Sequence, residues 1–414
     1  MGILAPLLIA GALGGGQLPR PVEIARHEPQ AAIFSSEPPG LILIRVVVRD
    51  VQGKSITGLH AKDFQIFSDQ HKQAIARFAV EGLPAPPPTG EKLRAAEGAL
   101  PPGRGERRTA LFFDDYHLAP MDVEVAREAA DHFLGESLEP GERVGIFSAS
   151  GQVSADFTPN PHTLRQALAH LRALSRFQRG GYCPDVTPYH AQMILEKSEA
   201  DALPLAVALT FLCQCRCPTT VDTALSTAML ISIHSEIAAE ATLKRLDELV
   251  HRVEGFPGPR TIALISGGFL NGTHAEQVDA LVDRALRQGI TISALDARGF
   301  CNILPAADPA QPGQSLSPRD AAALEKIERR SDDADAVVLK DLAAGTGGAF
   351  VHDPADFEAG LRHLGSPQVS YLLGFSPQSV LPPGDFHRIS VTLVKPAPWS
   401  VYARRGYRAA RRFQ

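Results

Sequence analysis

The sequence lacks the signatures of several broad functions. It has no basic excess: 41 Lys and Arg face 46 Asp and Glu among 414 residues, a formal charge of −5, which removes the usual electrostatic footprint of a nucleic-acid binder. The Arg-rich end, Arg404-Arg405-Gly406-Tyr407-Arg408 with Arg411-Arg412, reads as a solvated tail. No apolar run is long enough to cross a bilayer. The run from Ile3 to Ala10, with small residues up to Gly16, has the shape of a signal peptide over residues 1–20, although no Lys or Arg precedes it. No Cys follows that run, so a lipid anchor is not supported, and the expectation is a secreted or periplasmic protein with no transmembrane segment beyond the signal peptide. Nucleophile elbows, HExxH pairs and Walker loops are missing too, and the histidines are dispersed. A non-catalytic protein without a nucleic-acid partner is the expectation.

Cysteine is scarce and oddly placed. Cys213-x-Cys215-x-Cys217 has one-residue spacers, unlike the longer spacers of zinc sites. In an exported chain, Cys183, Cys213, Cys215 and Cys217 are expected to form disulfides that tie down their segment. With Cys301 the count is five, which leaves at least one thiol unpaired within the chain.

With 44% apolar side chains, the chain can bury a large core and is expected to form two domains. Leu41 to Asp50 is rich in β-branched residues and breaks at Gln52-Gly53-Lys54, which predicts a strand, a turn and a second strand at Ser55-Ile56-Thr57. Alternating runs at Asp63 to Phe67 and Ala74 to Val80 complete a β-sandwich-like domain over 30–82. A Pro-rich linker spans 83–107. Strands at 109–114, 143–148, 261–266 and 290–295 then alternate with helices near 121–135, 161–173, 222–253 and 275–288. That order predicts a doubly wound, mostly parallel, Rossmann-like α/β domain over 108–365, with insertions at 175–220 and 298–335. Further elements are expected near 336–344, 349–352 and 355–364. A β-rich C-terminal extension over 366–410 would pair with the N-terminal strands. Gly345-Thr346-Gly347-Gly348 follows a helix and precedes a strand, so it reads as a helix C-cap, with positive φ at Gly345, and not as a dinucleotide loop. On helix 222–253, Leu225, Met229, Ile233, Ile237 and Leu243 fall at helical spacing and predict the face turned to the sheet.

Several segments together resemble the von Willebrand factor type A (vWA) family. They are the strand Thr109 to Phe113 closing on Asp114-Asp115, then Leu138 to Phe147, Asp156-Phe157-Thr158, and Ile265-Ser266-Gly267-Gly268. Val46 to Asp50 with Gly53-Lys54, Gly58-Leu59 with Asp63-Phe64, Thr346-Gly347-Gly348 and Tyr371 to Phe375 resemble an acidobacterial secreted branch of it. The resemblance runs from about residue 40 to the C-terminus. It implies adhesion or protein interaction, with a divalent cation held by Asp-x-Ser-x-Ser, a middle-loop Thr and a late Asp. Oxygen ligands of that kind suit Mg²⁺, Mn²⁺ or Ca²⁺.

Carried over residue by residue, that site is incomplete. Asp114 matches the first acid, Tyr116 and Leu118 stand where the serines belong, and Gly267 replaces the late Asp. The metal candidates are Asp114, Asp115 and a Thr at 220 or 219, in a degenerate adhesion site that needs no cofactor. Alternatively Asp114, Asp115, His117 and Ser266 form a remodelled site, or the two acids bond backbone and cap the following turn. Tyr116, His117 and Phe269, on loops at the C-terminal edge of the sheet, are the candidates for contact with a protein or an extracellular polymer. The competing expectation is a metal- or thiol-dependent envelope enzyme using Cys213, Cys215 and Cys217.

Overall fold

The computed structural model describes residues 41–50, 56–81, 107–136, 141–174, 181–213, 220–298, 316–352, 357, 360–361, 369–377, 385–404 and 406–408. The signal peptide, the 52–54 turn, most of the Pro-rich linker, Cys215, Cys217, Cys301 and most of 355–364 fall outside them. Everything described belongs to one compact unit, Ser36–Gln414.

Four strands come first: β1 (Ile42–Arg49), β2 (Phe64–Ser68), β3 (His71–Gln73) and β4 (Arg77–Glu81). Ile56 and Thr57 are not in a strand, although the Ile56 amide bonds to the Val48 carbonyl. These strands do not close a layer among themselves.

The α/β region follows. Its elements are β5 (Arg107–Phe113), α1 (Pro120–Glu136), β6 (Glu142–Ser148), β7 (Ser154–Thr158), α2 (Pro161–Leu168), α3 (Pro188–Glu196), α4 (Ala202–Leu212) and α5 (Thr220–Glu254). After these come β8 (Arg260–Ser266), α6 (Ala275–Arg287), β9 (Ile290–Asp296), α7 (Pro318–Thr346) and β10 (Phe350–Val351). The six-stranded sheet runs β10-β9-β8-β5-β6-β7, parallel except for the edge strand β7. Side chains alternate across β5, as any strand requires. Ala110 and Phe112 pack with Leu246 and Val250 of α5, Leu281 of α6 and Leu342 of α7. Leu111 and Phe113 pack on the opposite face with Val123 and Phe133 of α1 and Leu164 of α2.

The chain ends in β11 (Ser370–Phe375), β12 (Phe386–Leu393), β13 (Ser400–Tyr402) and β14 (Gly406–Arg408). They join the first strands in two antiparallel sheets, β13-β1-β11-β4 and β14-β12-β2-β3. One core, with Ile44, Val46, Phe64, Ile66, Tyr371, Leu373 and Tyr407, lies between them. The segments expected as a domain at 30–82 and an extension at 366–410 are therefore two halves of one sandwich. Each half alone would leave strand edges unpaired.

The other face of β1 meets the α/β layer. Leu43 packs with Leu286 of α6 and Leu372 of β11. Arg45, 2% exposed, sends Nη1 to the carbonyls of Thr346 (2.9 Å) and Ile290 (3.3 Å). It thereby places a cation on the last turn of α7, at the negative end of the helix dipole.

The Arg404 to Arg408 end is not a solvated tail, since Arg404 and Tyr407 are buried and Tyr407 lies in the sandwich core. Four further sequence expectations need correction. The stretch 298–335 is not an insertion in its second half, because α7 starts at Pro318. Ser317 is the N-cap, its Oγ accepting from the Asp320 amide, and proline suits the first helical position. Its Ser, Pro and Asp are helix-start chemistry that composition alone presents as a loop. The 175–220 stretch likewise carries α3 and α4. These pack with Ala224, Ala228 and Ile231 of α5 and Ile327 of α7 in a helical cluster of their own. Positive φ falls at Gly347 (74°), not at Gly345, which lies inside α7; Gly347 closes the helix in the left-handed conformation.

The fourth correction concerns α5. Its 35 residues make a rod of about 52 Å, over twice the length of a seven-residue strand, so its N-terminal half runs past the sheet. There the buried face is the small-residue stripe Ala224, Ala228, Ile231, Ser235 and Ala239. Leu225, Met229, Ile233 and Ile237 are 36–60% exposed, and only Leu243 of the expected stripe is buried.

Candidate functional site

The ends of β5, β8 and β9 bring the sequence-predicted acids to the C-terminal edge of the sheet, and Asp114 and Asp115 diverge there. Asp114 is fully buried, its amide bonded to Ile265 across the β5–β8 pair. Its carboxylate accepts from Thr242 Oγ1 (2.9 Å), Ser266 Oγ (2.7 Å) and His117 Nδ1 (2.8 Å). The His117 amide also bonds to the Asp114 carbonyl, closing a turn that holds the imidazole over its own acid. The His117 ring lies 4.9 Å from that of Phe269, and its side chain is 6% exposed. Its Nε2 is buried without a hydrogen-bond partner.

Asp115 turns toward the β6–β7 connection. It accepts from the Ser150 amide (2.9 Å), the Ser150 hydroxyl and Gln152 Nε2 (3.3 Å). Burial raises its pKa, Ser150 opposes the rise, and the charge of neighbouring Asp114 adds to it. The acid thus acts as a clamp on the 148–152 turn, 35 residues on, and not as a cap on the turn that follows it.

The remaining candidates separate. Thr220 opens α5, 22 residues before Thr242, which places it about 33 Å away along the helix axis. The threonine that meets Asp114 is therefore Thr242, inside the helix. Its sequence signal was a polar residue on the same buried stripe as Leu246 and Leu249; a search confined to loops misses it. Leu118 is a fully buried core residue packed with the apolar face of α1. Tyr116 packs against the core, and Phe269 lies within it at 3% exposure. His117 and Phe269, expected at a partner-facing surface, are thus enclosed, because the loops after β5 and β8 stack on each other. Gly267 leaves no room for a side chain: a Cβ there would stand 2.3 Å from the His117 carbonyl.

A second polar cluster that sequence reasoning did not foresee lies beside it. Asp296, at the end of β9, accepts from Arg298 Nη2 (2.6 Å) and His352 Nδ1 (2.8 Å). Arg298 also reaches the Asp332 carbonyl (3.0 Å) and Asp335 (3.6 Å) on α7. Burial opposes the Arg298 charge, yet Asp296, Asp335 and Asp332 together hold its pKa above the usual value. Asp335 is pushed up to about 7 by burial, with Arg298 and His117 pulling the other way.

That shift has a stability signature. Between the ordinary value of 3.8 and about 7, folded Asp335 keeps a proton that the unfolded chain has released. Stability therefore falls as pH rises through this window. Thermal unfolding followed from acid to neutral pH should show this decline, and Asp335→Asn should flatten it, with Asp296 and Asp332 still holding Arg298. An unchanged slope in the variant would contradict it.

Cys183 and Cys213 are free thiols at the end of α4, against the carbonyls of Thr210 (3.8 Å) and Leu209 (3.4 Å). No disulfide joins described residues. The Cys213 thiol is pushed up to about 12 by burial and by the Cys183 thiol beside it. Among the described residues, no group of three or more His, Cys, Asp or Glu side chains is placed to hold a metal ion. The donor set around Asp114 does not fit a hard cation either. Its carboxylate accepts from two hydroxyls and an imidazole, a set that brings few oxygens where Mg²⁺ or Ca²⁺ calls for six or more.

The fold defines a mixed α/β protein with a parallel-rich six-stranded sheet. No family model and no curated protein matches the chain. Several solved structures resemble it distantly, two of them as follows. An aerotolerance-related membrane protein from Bacteroides fragilis NCTC 9343, with multiple mutations to serines, is 11% identical, covers 64% of this chain and 98% of its own, and has a TM-score of 0.31. The conserved hypothetical protein BatB from Bacteroides thetaiotaomicron is 11% identical over 63% of this chain and 97% of its own, with a TM-score of 0.28. Likeness at that level bears on neither the site nor the ligand.

Proposed function

We propose that this chain is a non-catalytic binding module, exported from the cell, with a doubly wound vWA-like layout and a cation site closed by its own side chains. The strand order, with an antiparallel edge strand at β7, supports the layout. The observation that carries the reading is the state of Asp114: fully buried, with Thr242, Ser266 and His117 filling its carboxylate. A cation-bridged adhesion site needs that carboxylate facing a metal with one position open to a partner's acid. Here the His117 imidazole, 6% exposed, bonds that carboxylate instead. Recognition of a protein or an extracellular polymer then falls to surfaces away from the sheet edge.

The thiol-enzyme alternative has less support. Of its three cysteines only Cys213 is among the described residues, and its burial and the Cys183 thiol beside it disfavour the thiolate, which is the nucleophile.

Calorimetric titration of the purified full chain with Mg²⁺, Mn²⁺ and Ca²⁺ tests the closed site. No saturable heat is expected for any of the three. Stoichiometric binding at micromolar affinity, lost in Thr242→Val, would overturn the reading.

A further inference from the structure

The N-terminal half of α5 presents an apolar ridge that is exposed among the described residues. Val221, Leu225, Met229, Ile233 and Ile237 recur every four residues and are 36–60% exposed, with Leu230 alongside at 43%. Over 16 residues they draw a line about 24 Å long. Side chains at i, i+4 spacing form the ridge that helix packing inserts into a partner's groove. The same turns of α5 already bury the opposite face, Ala224, Ala228 and Ile231, against α3 and α4. The helix is thus stably held while its large apolar side chains stay in water. Contiguous apolar surface of this kind marks interaction sites in soluble proteins.

The charge beside the ridge says what kind of partner it suits. Asp222, Glu236 and Glu240 are exposed along it, and there is no Lys or Arg between Thr220 and Leu243. Glu236 meets His274 (2.7 Å) and the Thr273 hydroxyl (2.9 Å), which keeps its carboxylate at the rim of the ridge. Beside Glu236 a groove of about 360 Å³ opens between α3, α5 and the segment after β8. It is lined by Leu195, Glu196, Ser232, Glu236, Leu270 and Thr273, which adds another carboxylate to the same edge.

We infer that this ridge and groove dock an amphipathic helix whose apolar stripe is flanked by Lys and Arg. The assignment rests on the binding-module reading and names its surface and partner class. Helix-on-helix docking uses anchors about one turn apart, which the i, i+4 ridge supplies over about four turns. Acidic flanks attract basic residues on the incoming helix and set its register and orientation. A second copy of this chain is a poorer fit. In an antiparallel crossing centred on Met229, Asp222 of one copy meets Glu236 of the other, each seven residues from the centre, and a parallel crossing sets like against like. An anionic lipid surface would be repelled by the same acids.

The experiment uses the full chain and two labelled 18-residue model helices, one of Leu and Lys and one of Leu and Glu in the same amphipathic pattern, read by fluorescence anisotropy. The Leu/Lys helix should bind at least tenfold tighter than the Leu/Glu helix. Met229→Ser with Ile233→Ser should weaken its binding at least tenfold without lowering the thermal midpoint, since both side chains are exposed. Asp222→Lys with Glu240→Lys should shift preference toward the Leu/Glu helix. Equal binding of both helices, or binding indifferent to the serine pair, would overturn the assignment. So would a concentration-dependent dimer that the serine pair dissolves, which would make the occupant a second copy. So too would serine-sensitive sedimentation with phosphatidylglycerol vesicles. Cation titration of the same sample reads the closed site separately, so loss of helix docking and an open metal site are distinguishable.

Discussion

Asp114→Ala is expected to destabilise the fold by about 3–5 kcal/mol, the scale for removing one member of a buried, hydrogen-bonded polar set. Two hydroxyls and an imidazole donate to this carboxylate in a fully buried position. Each donor left without an acceptor in an apolar interior costs about 1–3 kcal/mol. The His117 ring would suffer most, since its Nε2 has no hydrogen bond to fall back on. Urea unfolding of the wild type and variant, with unchanged slope and a lowered midpoint, is the measurement. Asp115→Ala supplies the contrast. Its partners lie in the 148–152 turn nearer the surface, where Ser150 and Gln152 can turn to water, so its loss should be clearly smaller. Had Asp114 been a metal-facing acid, its removal would relieve charge in an apo protein and raise the midpoint. The two readings thus predict opposite signs from one variant.

Arg45→Met is expected to cost about 3 kcal/mol, because hydrogen bonds from a charged donor are worth roughly 1.5–3 kcal/mol each and methionine restores only the packing. Arg45 joins two layers distant in sequence: its guanidinium ends on Thr346 and Ile290 of the α/β region while its own strand belongs to the sandwich. The carbonyl at the end of α7 would lose its cation in the buried seam. Gly347→Ala probes the same contact from the other side. A Cβ there would lie 2.4 Å from Arg45 Cδ, and φ of 74° strains any alanine. Chemical denaturation of both variants should give lowered midpoints. A wild-type midpoint for Arg45→Met would show that the seam is held by apolar contacts alone.

The α/β strands were legible because each is a short apolar run between amphipathic helices, a pattern that depends only on local burial. The position of the site was legible for the same reason: acids that follow a buried parallel strand must emerge at its C-terminal edge. Thr242 was not, since which turn of a 35-residue helix passes over a strand is decided by packing. The outward turn of Met229 and Ile233 was hidden because α5 has apolar residues on two faces, and periodicity cannot tell which faces the core. Alanines took the buried side, where α3 and α4 approach closely. The start of α7 was readable in Ser317-Pro318-x-Asp320, but the polar composition around it masked the cap.

The sandwich sets the order in which this polypeptide can finish folding. Ile42 registers against Phe375, and Val48 against Val401, so the hydrogen bonds of β1 link residues more than three hundred positions apart. Contacts of such high order form slowly, because the entropy of closing a long loop is spent before they repay it. The parallel sheet, with neighbours nearer in sequence, can assemble first and bring the two ends together. Until synthesis passes Phe375, β1 has an unpaired, strongly apolar edge of the kind that seeds aggregation. A chain cut short before β11 therefore exposes that edge permanently, and a chaperone that shields β1 during synthesis would govern the yield of soluble protein.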